Sequence, residues 1–333
     1  MILQLAFILA YPHLPTNADT EGVIAFTGQG GLKMEGTLAF PADAKGAPCV
    51  LLMPGSGPTD RDGNQATLKT DVLKQIADRL KTEGIATFRF DKRPVSRYQS
   101  QWPKTVEAMN EFFSVENHLA DAEAAFKTMV AQPECTPKMT GLLGHSEGGS
   151  FALELASKLQ VNTLVLCGTI GRNMKDVIHD QVAQSLDLGK ATPELKKQYL
   201  DNLDTIMDEI RKDGKPTTKP LQGLAVLFNP TTYKIMQGYQ NMDSIMRAKQ
   251  FGGSVLVLNG EKDVQVSATK DAAAIFAALS VRKGGKQEIA IIPGATHNLK
   301  KGNESDPMSS FTGPIVPEAL SKIAEWCKTT LKK

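Results

Sequence analysis

Six short apolar runs, "APCVLLM", "IATFRFD", "MTGLLG", "NTLVLCG", "SVLVLNG" and "QEIAIIPG", are spread along the chain with segments of helical period between them. The runs are continuous rather than alternating, as strands are when both faces of a parallel sheet are covered. Between them, Leu68, Val72, Ile76 and Leu80 recur every four residues, and Leu320, Ile323, Cys327 and Leu331 form a similar stripe near the carboxyl end. Such alternation of strand and helix requires a mostly parallel sheet with right-handed crossovers and helices on both faces. Upstream, "GVIAFTG" and "LKMEGTLAFP" flank a Gly-rich turn at Gln29 to Gly31 and add an antiparallel hairpin, which makes an eight-stranded α/β sheet.

The alternation stops between residues 171 and 250. This stretch is rich in Lys, Asp, Glu, Met and Leu and is far longer than a crossover needs. It reads as an inserted, helical lid, with 22–170 and 251–333 as the core. Residues 1–21 form a tail whose apolar stretch from Ile2 to Ala10 is too short to span a bilayer. The tail resembles the hydrophobic part of a secretory signal but lacks a basic start and a clear cleavage site. Export and a cytoplasmic location both stay open. No stable membrane insertion is expected. A net charge of +2, with acidic and basic residues mixed, offers no single-sign field for nucleic acid. The four cysteines, Cys49, Cys135, Cys167 and Cys327, lack ligand spacing and read as buried thiols.

Within "LLGHSEGGSFALEL", Gly144, Ser146 and Gly148 fit G-x-S-x-G. Chance alone supplies such a match in roughly one chain in ten of this length. Context strengthens it, because a strand precedes the motif and an amphipathic helix follows. A strand-to-helix elbow strains the serine backbone, and the residues two before and two after it must lack a Cβ. The hydroxyl then stands at the carboxyl edge of the sheet, near the positive end of the next helix.

A serine hydroxyl needs a base. Of the five histidines, His297 in "IAIIPGATHNLKKG" lies just after the last strand and is the candidate. His145 should leave the elbow in another direction. His118 and His179 fall in helices and His13 in the tail, which suits surface or packing roles. The imidazole in turn needs a carboxylate. Asp263, in the loop after "VLVLNG", is chosen over its neighbour Glu261. An oxyanion hole requires two amides, for which Glu147 and Ser56 of the "MPGSGPTDRDGN" loop are positioned.

The order Ser146, Asp263, His297 and the pieces "MEGTLAFP", "PGSGPTDRDGN", "FRFDKR", "GHSEGG", "GEKDVQV" and "GATHNLK" together resemble the α/β-hydrolase superfamily. Within it, the chain is similar to bacterial carboxylesterases related to the serine-aminopeptidase-like and dienelactone-hydrolase-like groups. The resemblance spans residues 22–333 and implies an α/β-hydrolase fold, a Ser/Asp/His esterase, and a helical lid after the sixth strand. Pro54 and Pro94 depart from it, standing where relatives usually carry His and Gly.

The expected activity is cleavage of a small-molecule carboxylic ester through an acyl-enzyme on Ser146, with no metal or organic cofactor. Peptidase, aminopeptidase or thioesterase action on the same three residues is an alternative, and a non-catalytic binding protein on a hydrolase scaffold is an alternative of another class. Leu224, Leu227, Phe228, Tyr233, Met236 and Tyr239 either roof an acyl pocket or pack the lid onto the core, with Phe228, Tyr233 and Met236 as the leading substrate contacts. Asp60, Arg61, Asp62 and Asp91, Lys92, Arg93 either bind a substrate carboxylate or form an ion-pair network between two loops. The oligomeric state is not legible.

Overall fold

The structure, a computed structural model, describes residues 20–42, 44–303 and 307–331. Most of the amino-terminal tail read as a possible signal, with His13, lies outside the described residues. Eight strands form one sheet: β1 (Glu21–Thr27), β2 (Lys33–Ala39), β3 (Ala47–Met53), β4 (Ala86–Phe90), β5 (Cys135–His145), β6 (Thr163–Cys167), β7 (Ser254–Gly260) and β8 (Gln287–Ile292). Their order is β1-β2-β4-β3-β5-β6-β7-β8. The β1–β2 and β2–β4 pairs are antiparallel and the rest are parallel. Each continuous apolar run therefore becomes a strand, and its alternate side chains serve two different cores. Cys49, Leu51 and Met53 of β3 point into one buried cluster, while Val50 and Leu52 point into the other.

The helices are α1 (Val72–Thr82), α2 (Val106–Phe112), α3 (Val115–Val130), α4 (Glu147–Leu159), α5 (Met174–Leu188), α6 (Pro193–Asp213), α7 (Tyr233–Asn241), α8 (Ser244–Gln250), α9 (Ala273–Ser280) and α10 (Pro317–Thr330). Helices α1 and α10 cover one face through Val72, Leu73, Ile76, Leu80, Ile323 and Cys327. The other face is covered by α3, α4, α8 and α9, through side chains such as Phe126, Phe151, Ala248 and Ile275. Leu68 is a correction: it sits before α1, in a tight turn that pairs Gln65 with Leu68, and the helix starts after Asp71, a residue at φ 49. The Leu68–Leu80 stripe thus spans a turn and a helix, since an apolar residue spaced four from a helix is also what a packed turn supplies.

Residues 171–250 are largely helical. Helices α6 and α7 and the segment between them build a core of their own from Leu203, Ile206, Met207, Ile210, Leu224, Phe228 and Met236, against which Ile178 and Val182 of α5 pack. Helix α8 packs differently: Ala248 lies in the main core, as a crossover helix between β6 and β7 should. All four cysteines are buried and unpaired. Burial pushes the Cys327 thiol up to about 12, so it is a packing group rather than a nucleophile. Among the described residues, no helix is long and apolar enough to cross a membrane.

Candidate active site

Strand β5 ends at His145, and α4 begins at Glu147, so Ser146 alone makes the turn. Its backbone sits at φ 57, ψ −122, a strained conformation for a residue with a Cβ. The Ser146 amide donates to Cys167 O of the neighbouring strand at 2.8 Å, which holds the elbow in place. The glycines around it are sterically required. A Cβ on Gly144 would overlap the Gly148 backbone, one on Gly148 would overlap Met53 O, and one on Gly149 would overlap the Thr169 side chain. The serine is thereby pressed to the carboxyl edge of the sheet.

Two further edge loops meet there. Asp263 follows β7, and its carboxylate is held from three sides. Oδ1 accepts the amides of Gln265 and Val266, each at 2.9 Å, while Oδ2 accepts His297 Nδ1 at 2.8 Å. Asn259, fully buried at the end of β7, donates to the same Oδ2 at 3.4 Å. Four donors surround this one buried carboxylate, and the bond from Nδ1 sets the orientation of the His297 ring. Glu261, the competing acid, turns away to accept the Gly294 amide at 2.8 Å and staples the loop that carries His297. Lys300 O accepts the Thr296 amide at 2.9 Å within that loop.

His145 does leave the elbow away from the serine's face, and it acquires a task that the sequence does not announce. Its Nε2 donates to the backbone carbonyl of His297 at 2.9 Å, and the two rings lie 4.8 Å apart. Burial, reinforced by the nearby His297, lowers its pKa to about 4, so it is a neutral donor at pH 7. Ser146 and His297 flank the same turn: Ser146 bonds to Cys167, and a Cβ on the next residue, Gly168, would lie 3.2 Å from the His297 ring. No hydrogen bond joins Ser146 Oγ to the imidazole among the described residues. Such contacts are often long in an unliganded site and close around substrate.

Ser146, Glu147 and Ser56 line one cavity of about 480 Å³, within the range of small-molecule sites. Glu147 is the first residue of α4, so its amide has no helical acceptor, and neither that amide nor that of Ser56 donates to another backbone carbonyl. The Glu147 side chain points back into the protein and pairs with Lys92 Nζ, which also donates to Gly55 O at 3.0 Å. Burial pushes the Glu147 carboxyl up and Lys92 opposes that shift. Lys92 thus ties the Ser56 loop to the elbow.

The charged clusters form a structural network. Arg61 grips Asp91 at 2.6 Å, Arg89 bonds to Asp62 at 2.7 Å, and Arg93 bonds to Asp121 of α3 at 2.7 Å. These charges are spent on one another off the wall of the cavity over Ser146, whereas Lys92, which lines that cavity, is paired with Glu147.

The roof needs a correction. Met236, Leu227 and Tyr239 line the cavity, but Phe228 and Tyr233 do not, and neither does Leu224. Thr232, Ile235, Met236 and Tyr239 share one face at helical spacing, and it is this face of α7 that turns to the cavity. Phe228 and Leu224 are buried in the insertion's own core, with Tyr233 packed against it. Val226 and Ile235 take their place over the site. His118 lines the cavity too, as a buried group rather than a surface one, whereas His179 is half-exposed at 3.8 Å from Asp204.

A profile of the Hydrolase_4 family, described as serine aminopeptidase, S33, matches residues 69–306. The chain belongs to this family. The match runs from just before α1 to beyond the His297 loop, so it takes in the elbow, both edge loops and the helical insertion. Esterase EstD of Thermotoga maritima is 25% identical over 295 residues, which make up 88% of this chain and 65% of the relative. The Hydrolase_4 chain thus spans about two thirds of the length of that curated relative. Among solved structures, an esterase of Pyrococcus furiosus superposes with a TM-score of 0.57 at 13% identity, covering 94% of this chain and 91% of the other. A dienelactone hydrolase from Anabaena variabilis superposes with a TM-score of 0.51 at 17% identity, covering 94% and 98%. At such identities the likeness establishes the α/β-hydrolase fold.

Proposed function

We propose that this member of the family is a carboxylesterase-type serine hydrolase. In this reading, His297 Nε2 takes the proton from Ser146 Oγ as the oxygen attacks the ester carbonyl. The Glu147 and Ser56 amides hold the oxyanion. Its collapse breaks the ester C–O bond as His297 gives the proton to the departing alcohol. Water, deprotonated by His297, then attacks the acyl carbon and releases the acid while Ser146 Oγ regains its proton. The observation that carries the reading is the pairing of His297 with the fully enclosed Asp263 at 2.8 Å, beside a serine held at positive φ on the wall of an apolar cavity. The esterase names of EstD and of the Pyrococcus furiosus structure support it.

Aminopeptidase action, which the family's description raises, requires an acid to bind the substrate amine. Among the described residues lining the cavity, the sole carboxylate is Glu147, already paired with Lys92, which favours the ester. The test is hydrolysis of p-nitrophenyl acetate and butyrate by wild type and Ser146→Ala. The variant is expected to lose kcat by roughly a million-fold and to escape labelling by a fluorophosphonate. Equal rates for the two proteins would sink the assignment, and faster turnover of amino-acid p-nitroanilides than of esters would move it to the peptidase.

A further inference from the structure

The cavity over Ser146 is mostly apolar, lined by side chains such as Phe113, Ile170, Val177, Ile235 and Met236. Its polar groups away from the reacting centre are mostly engaged. Lys92 is taken by Glu147 and Gly55, Gln181 Nε2 donates to Gln265 O at 2.9 Å, and the Thr232 hydroxyl donates to Asn229 O at 2.9 Å. His118 is different. It lies on α3, is 4% exposed, and its Nδ1 sits 2.9 Å from Ser114 O, one turn back on the same helix. A carbonyl only accepts, so Nδ1 carries the hydrogen and Nε2 presents a bare lone pair. That Nε2 is buried and has no hydrogen-bond partner. Burial, together with the positive charges of Lys92 and Arg93, holds the ring's pKa well below its ordinary value, so it stays neutral at pH 7.

A buried acceptor without a donor is destabilising unless something supplies one. No described side chain does: Phe151 packs against the ring at 6.0 Å between centroids, Lys92 is committed elsewhere, and Tyr239, which shares the cavity wall and stacks on Phe151, makes no hydrogen bond to Nε2. We propose that His118 Nε2 is a specificity-determining acceptor for a hydroxyl group on the substrate, so that the preferred substrates are esters carrying a neutral hydrogen-bond donor. This rests on the esterase reading and narrows its substrate class. A substrate without the donor leaves Nε2 unpaired, and one that presents a carbonyl or carboxylate there sets acceptor against acceptor.

The test compares p-nitrophenyl 3-hydroxybutanoate with butanoate and with 3-oxobutanoate, and 6-hydroxyhexanoate with hexanoate. For wild type we expect at least one hydroxylated ester to exceed its parent about fivefold or more in kcat/KM, with the oxo ester gaining nothing. His118→Phe, which keeps the ring and removes the acceptor, should bring that ratio to within about twofold of one, while His118→Gln, which restores an acceptor oxygen, should retain part of it. Calorimetric titration of Ser146→Ala protein with the same esters, with and without His118→Phe, repeats the comparison without turnover. Absence of ester hydrolysis by wild type refutes the esterase reading, and the binding ratios then judge His118 on their own. Equal affinities and rates within every pair, or a preference that survives His118→Phe, overturn the proposal.

Discussion

A methyl group on Gly168 would lie 3.2 Å from His297 Nδ1 and 3.3 Å from Asp263 Oδ2, on a residue at φ 56. The tight turn after β6 is therefore what lets the imidazole and carboxylate sit against the sheet edge. Gly168→Ala is expected to push the pair off its geometry and lower kcat about tenfold or more with little change in KM, measured on a short p-nitrophenyl ester. A matching rise in KM with kcat intact would place the effect in substrate binding instead. Asp263→Asn should lower kcat by roughly ten-thousand-fold, because an amide in this position favours the wrong tautomer of His297. At this scale the sequence is legible where a residue's placement follows from its position after a strand, as for Ser146, Asp263 and His297. It is silent on His145, Asn259 and His118, whose roles depend on which distant carbonyl, carboxylate or cavity the packed chain places beside them. No local pattern near His118 distinguishes a buried ring with a bare Nε2 from a surface histidine.

Helix α7 decides which residues of the helical insertion line the cavity. Its cavity face carries Ile235, Met236 and Tyr239, while Tyr233 packs against the core of the insertion that encloses Phe228. Met236→Ala and Leu227→Ala should therefore change the ratio of octanoyl to acetyl ester rates. Phe228→Ala should leave that ratio in place and destabilise the protein by about 3–5 kcal/mol, read by denaturant unfolding. A shifted chain-length preference in Phe228→Ala at unchanged stability would reverse the two roles. The same contrast explains why strands are easier to read than lid contacts. An apolar run flanked by turns has one outcome, a strand covered on both faces, as "APCVLLM" shows by becoming Ala47–Met53. The apolar residues between Leu224 and Tyr239 have two surfaces to cover, the lid's own core and the cavity, and short 3-10 turns at Leu224–Leu227 and Pro230–Thr232 break the period that would sort them. Helix α8 lies within 171–250 but packs Ala248 into the main core, beside α4, which lies far from it in sequence, so its partner is not visible in the local pattern.

Across the whole molecule, the site's rigidity is tied to pH through the histidines it buries neutral. In the folded state His145 has a pKa of about 4, against an ordinary value near 6.5, and His118 is displaced in the same direction. Below about pH 6.5 the unfolded chain binds protons that the folded chain refuses, so each ring contributes a loss of stability as pH falls, for His145 down to about 4. For His145 the loss between pH 7 and pH 5 amounts to about 2 kcal/mol. The buried carboxyls Asp121 and Glu147 work in the opposite sense, because their raised pKa values make the folded state the better proton binder. The His145 contribution is therefore isolated by difference. Unfolding free energies from urea titrations at pH 7 and pH 5 should diverge between wild type and His145→Gln, the variant losing about 2 kcal/mol less on acidification than wild type does. Identical pH slopes for the two proteins would mean that the His145 ring takes up a proton in the fold as readily as in the unfolded chain. The bond to the His297 carbonyl at 2.9 Å would then be made by a ring that becomes cationic across this range, and the burial of His145 would carry no cost on acidification.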